Sequence, residues 1–111
     1  MDTKEQIEGI IQVLEHAQSR PGMYFVSKNP ELAFTFLNAL HIGISITARD
    51  WWDQYKHHRD AVWIKHGFEH IGANHPCFVM IRQGMENDAI IRELFTLEIE
   101  TWQLLLADYD T

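Results

Sequence analysis

Between Ile90 and Tyr109 apolar side chains recur with the period of an α-helix, and neither glycine nor proline interrupts them. Projected at about 100° per residue, Ile91, Phe95, Ile99, Trp102, Leu106 and Tyr109 form one stripe. Ile90, Leu94, Leu97, Leu104 and Leu105 widen it on one side, while Arg92, Glu93, Thr96, Glu100 and Gln103 lie opposite. The spacing predicts a helix that begins around Glu86 to Asp88, whose acids suit the positive end of the helix dipole, and runs to about Asp108. Glu98 falls inside the apolar sector, between Phe95 and Trp102 along the helix and flanked by Leu94 and Leu105. An ionised carboxylate buried there without a partner would cost on the order of several kcal/mol. Glu98 is therefore expected to be substantially buried and bonded to a cationic or tyrosine side chain, with Arg20, Arg49 and His41 as candidates. Its alternative role is to line a polar pocket between helices.

The remaining elements read as shorter helices. Ile7, Ile10, Ile11, Leu14 and Ala17 predict an amphipathic helix over residues 3–19. It should stop at Arg20-Pro21-Gly22, because proline disfavours the α conformation in the residue before it and Pro-Gly suits the centre of a type II turn. Met23, Tyr24, Phe25 and Val26 follow as an extended anchor into the core. Asn29-Pro30-Glu31 combines an N-cap side chain, a proline at the first helical position and an early acid. The helix it starts is apolar nearly all round from Leu32 to Ala48, with a polar stripe of Thr35, Asn38, Ser45 and Arg49, and is expected to be central. Gly43 within it suggests a close helix crossing. Residues 50–72 read as two short helices broken at Lys56-His57-His58-Arg59-Asp60. His75-Pro76 opens a further short helix that stops at Gly84. With no repeat and no hairpin signal, the expected fold is all-α, a compact single-domain bundle of about five helices over residues 1–111.

Composition narrows the function classes. With 46% apolar and 23% charged residues the chain is globular, and 111 residues are too few for two ordinary domains. Its longest apolar runs end well short of the roughly 18 to 20 residues of a membrane span. The polar, acidic start lacks the pattern of a secretory signal. A lone cysteine, Cys77, leaves no intramolecular disulfide, so a reducing cytoplasm is the expected compartment. The net charge is -7, of which -5 falls after residue 70, which disfavours nucleic acid and anionic membranes as partners. Residues 49–70 are neutral overall, yet hold Arg49, Lys56, Arg59, Lys65 and four of the seven histidines, so acidification would make them basic.

Arg20-Pro21-Gly22-Met23-Tyr24 is the most distinctive string. A similar string precedes the first nucleotide-binding helix of the gyrase B type ATPases. The acid and asparagine pair and the glycine-rich phosphate loops of those enzymes do not follow here: Asn38 has no neighbouring acid and the six glycines are scattered singly. Most of the chain, in its order of elements, resembles small bacterial proteins of unknown activity, some of them suspected immunity proteins of polymorphic toxin systems. The shared pattern is the Arg-Pro-Gly-Met-Tyr turn, an apolar helix, a tryptophan-bearing middle and an acidic-start C-terminal helix with Phe and Leu. The chain departs most from it between Asp50 and His70. The resemblance implies a binding protein with a polypeptide partner and carries over no catalytic residue.

His66, His70, His75 and Cys77 stand close together in the sequence, and imidazole with thiolate is ordinary zinc chemistry. His66 and His70 would share a helical face, but Gly67, Gly72 and Pro76 interrupt the geometry, and no second ligand pair stands at the distance of a zinc signature. No metal and no cofactor are expected. Cys77, ahead of Phe78-Val79-Met80-Ile81, reads as a buried, inert thiol. Trp51, Trp52, Tyr55 and Trp63 divide between core packing and a partner surface, since tandem tryptophans cannot both point to one side of a helix. The expected function is a non-enzymatic protein-binding domain, an immunity-like inhibitor whose partner is a toxin or a second copy of itself. The alternatives are a small enzyme using the histidine cluster and a homodimeric structural protein.

Overall fold

The computed structural model describes residues 2–23, 29–47, 49–68 and 75–109, and every element among them is helical. The Asp2 side chain accepts the Glu5 amide at 2.8 Å and starts α1, Thr3–Ser19. Its Ile7, Ile11, Leu14 and Ala17 are buried along one face. Pro21–Met23 form a turn of 3-10 helix instead of the expected type II turn. A type II turn needs a left-handed φ at Gly22, and among the described residues only Gly67 and Gly84 have one. The anchor expected of Tyr24 and Phe25 lies outside the described residues, as does the side chain of Met23.

Asn29 accepts the Glu31 amide at 2.9 Å through its side chain and, with Pro30 at the first position, starts α2, Pro30–Thr47. α3, Arg49–Lys65, is one continuous helix where two short ones were expected. Neither glycine nor proline lies between Arg49 and His66, and the polar run from Lys56 to Asp60 falls between the buried Tyr55 and Val62. Its charges find partners outside the core: Lys56 with Asp53 at 3.2 Å, His58 with Asp108 at 2.7 Å, and Arg59 with Asp60 at 3.2 Å.

α4, Pro76–Arg82, and α5, Asn87–Tyr109, complete the bundle. α3 and α4 end alike, with Gly67 (φ 88°) and Gly84 (φ 77°) turning left-handed. The next amide then bonds back into the last turn, Phe68 to the Trp63 carbonyl at 2.8 Å and Met85 to the Met80 carbonyl at 3.2 Å. A Cβ at either glycine would strain that backbone.

α5 is the centre of the molecule. α1, α2, α3 and α4 all pack on it, and its buried residues, from Ile90 to Leu105, cover more than one face. α2, expected to be central, buries Ala33, Leu37 and Ile44 but leaves Leu32, Ile42 and Ile46 exposed. Because α5 already offers apolar surface on several sides, α2 needs to present only one. Gly43 serves no close crossing, since a Cβ added there would meet nothing within 4 Å. Trp51 and Tyr55 turn inward against Trp102 of α5, with ring centroids 5.5 and 4.9 Å away, so neither belongs to a partner surface. Trp52 is half-buried and stacks on Tyr55 at 4.6 Å. No helix among the described residues is long and apolar enough to cross a membrane.

Candidate functional site

Glu98 sits midway along α5 with 6% of its surface exposed, and three donors converge on one of its oxygens. Oε2 lies 2.7 Å from Nε2 of His41 on α2 and accepts the Tyr55 hydroxyl of α3 at 2.7 Å. It also accepts the indole N–H of Trp102, one turn further along α5, at 2.8 Å. The Tyr55 oxygen is itself 2.9 Å from His41 Nε2, so one imidazole proton faces both oxygens. Burial alone would push the Glu98 carboxyl up. The facing His41 charge and the hydrogen bonds from His41, Tyr55 and Trp102 outweigh it and hold the carboxyl below its ordinary value. The same contacts act on Tyr55 in the opposite sense: burial first, then the Glu98 charge, push its phenol well above 10.

A cavity of about 100 Å³ opens beside this cluster, between α2, α3, the start of α4 and α5. Glu98, His41, Asn38, Arg59 and His75 supply its polar lining, and Phe34, Trp63, Leu37 and Leu97 are among its apolar walls. His75 caps α4: its Nδ1 accepts the Cys77 amide at 3.1 Å. Phe34 and Trp63 meet its ring edge-on at 4.7 and 5.2 Å. Burial, helped by the charges of His41 and Arg59, lowers its pKa to about 4, so at neutral pH the ring is uncharged. Arg59 lies 4.9 Å over the half-buried ring of Trp63.

The histidines and cysteine that stood together in sequence take separate duties. His66 leaves the end of α3 to pair with Glu100 at 2.7 Å, and Lys65 binds the same carboxylate. Those hydrogen bonds, led by Lys65, hold Glu100 below its ordinary pKa. His75 is committed to its cap, and His70 lies outside the described residues. The Cys77 thiol is buried against the Pro30 carbonyl at 3.7 Å, and burial pushes it up to about 11. Among the described residues no three His, Cys, Asp or Glu side chains are grouped to hold a metal ion.

Of the partners named for Glu98 from sequence, His41 is bonded to it; the tyrosine that the expectation allowed is Tyr55, which the sequence had left divided between the core and a partner surface. Trp102 was missed, although its spacing of four from Glu98 on one helix is the signal that could have found it. Nothing in the sequence marks Arg59 or Asn38 as cavity residues. Neither a family model, nor a curated protein, nor a solved structure matches the chain.

Proposed function

We propose that the chain is a protein-binding domain that acts without catalysis, and that it docks a basic polypeptide through the outer face of α2. The observation that carries this reading is the line Leu32, Thr35, Ala39, Ile42 and Ile46, spaced alternately by three and four and exposed throughout. It spans about 21 Å at 1.5 Å per residue. Ile42 and Ile46 are 56% and 65% exposed, and no Asp, Glu, Lys or Arg occurs from Leu32 to Thr47. Leaving one such side chain in water forgoes roughly 1.5–3 kcal/mol, and an uncharged apolar centre is the composition of an interface core. A chain of net charge -7 repels its own copies and attracts a basic partner, which favours a distinct polypeptide over a homodimer.

The side chains with reactive chemistry support binding over turnover. The Cys77 thiol and the Tyr55 phenol are held in their protonated forms, and one Glu98 oxygen is occupied by three donors. The resemblance to immunity-like bacterial proteins agrees with a polypeptide partner, a toxin of that class, met in the cytoplasm. The test is co-expression with the product of the adjacent gene, together with sedimentation of the chain alone. The expected result is a monomer that forms a one-to-one complex, lost in the Ile42→Asp/Ile46→Asp variant while its circular dichroism and Tm are kept. A complex that survives both substitutions, or a homodimer that they dissolve, would overturn it.

A further inference from the structure

The cavity beside Glu98 combines groups of opposite sign whose hydrogen-bonding capacity is unspent. All four short contacts in the cluster involve Glu98 Oε2, His41 or the Tyr55 hydroxyl, and none reaches Glu98 Oε1. Every sealed side-chain polar atom among the described residues has a partner. Oε1 is therefore not sealed, and the void that Glu98 lines is this cavity. His75 lines the same cavity, and its Nδ1 accepts a backbone amide, so the proton of its neutral ring is at Nε2. That N–H meets no acceptor among the described residues. Arg59 spends Nε and Nη2 on Asp60 Oδ1, which leaves Nη1 to donate. The lining thus offers one buried anionic acceptor together with a cationic and a neutral donor.

We propose that this cavity binds a small zwitterion of the α-amino acid type, its ammonium donating to Glu98 Oε1 and its carboxylate accepting from His75 Nε2 and Arg59. An apolar cavity of about 150 Å³ takes up benzene, so a volume of about 100 Å³ suits the smallest members of the class, glycine or alanine. Phe34, Trp63, Leu37 and Leu97 give the cavity apolar walls beside these polar groups. Asn38 is exposed and lines the same void, so the cavity is entered from the surface past α2. Its entrance adjoins the docking face, since Asn38 lies three residues after Thr35 and four before Ile42 on α2.

Glycine, methylammonium and acetate titrated separately into the tens of millimolar, with the Trp63 indole and His75 ring resonances followed by NMR, test the assignment. Glycine is expected to give saturable shifts, with each half-molecule weaker by about tenfold or more. Glu98→Gln removes the ammonium site but also disturbs the core, so Arg59→Gln and Asn38→Leu, both at partly or fully exposed positions, carry the mutational test. Arg59→Gln should weaken glycine by about tenfold with the helical circular dichroism kept, and Asn38→Leu, which keeps the shape of the side chain but makes the entrance apolar, should weaken it less. The absence of any saturable shift would overturn the proposal. Acetate or methylammonium binding as tightly as glycine, or glycine binding unchanged in both variants, would do the same.

Discussion

His41 Nε2 lies 2.7 Å from Glu98 Oε2 across the α2–α5 boundary, and this contact joins residues 57 positions apart in the chain. When His41 is protonated the pair is a buried salt bridge, its two side chains only 18% and 7% exposed. Removing one member of such a pair leaves the other groups desolvated without a partner. Glu98→Ala should therefore lower the unfolding free energy by about 3–5 kcal/mol, read from urea denaturation. Glu98→Gln, which keeps a carbonyl oxygen for the three donors, should lose less. A loss below about 1 kcal/mol for the alanine variant would show that His41, Tyr55 and Trp102 re-pair without the carboxylate.

Tyr55→Phe removes one donor and leaves the ring packing intact. Because the hydroxyl bonds an ionised group, the expected loss is about 1.5–3 kcal/mol. In ultraviolet titration of the wild type the Tyr55 phenol should not ionise at pH 10, since burial and the Glu98 charge hold its proton. Phenolate absorbance that includes Tyr55 at that pH, in a folded sample, would contradict the description of the cluster.

Acid should destabilise the fold in two stages. His75 has a folded pKa of about 4 against 6.5 for the free side chain, with His41 and Arg59 adding to the effect of burial and Glu98 opposing it. Between those values the unfolded chain binds more protons than the folded one, so stability is full above pH 6.5 and is lost as the pH falls towards 4. Glu98, also depressed in the fold, contributes stability that is present above the ordinary carboxyl value of 4.5 and is lost as the pH falls through its folded pKa. His75→Asn keeps a capping side chain and removes the imidazole, so Tm between pH 6.5 and 4 should flatten in that variant. An unchanged slope would assign the first stage to another group.

Cys77 should be silent towards alkylating and disulfide reagents in the folded protein at pH 8, because its thiol is buried and its pKa is raised to about 11. It should react fully once denaturant unfolds the chain. Rapid stoichiometric labelling of the native protein would contradict that burial.

Much of the fold was legible because its boundaries are set by local chemistry. Residues 3–19, Asn29-Pro30, His75-Pro76 and Gly84 each mark a helix end that the structure places at or beside the same position. α3 was not legible as one helix, because the charged run Lys56 to Asp60 looks like a loop unless the burial of Tyr55 on one side and Val62 on the other is known. α2 misled in the opposite sense. Apolar residues all round suggested a central helix, but hydrophobicity does not say which neighbour covers a face, and the face carrying Ile42 and Ile46 is covered by none of the described helices. At the site, the helical projection put Glu98 in the apolar sector, where it is found. Tyr55 and His41 lie 43 and 57 residues away, a separation that no local pattern encodes.

α5 follows the other four helices in the chain and is the surface on which all of them pack. During synthesis α1 to α4 therefore leave the ribosome before the helix that most of their apolar surface packs on, with only the smaller contacts of α2 on α3 and α4 able to form first. At about 5–20 residues per second, the 23 residues of α5 arrive over about one to five seconds. Closure of the core therefore waits for α5, and a nascent chain stalled ahead of Asn87 is a client for chaperones and proteases instead of a part-built domain.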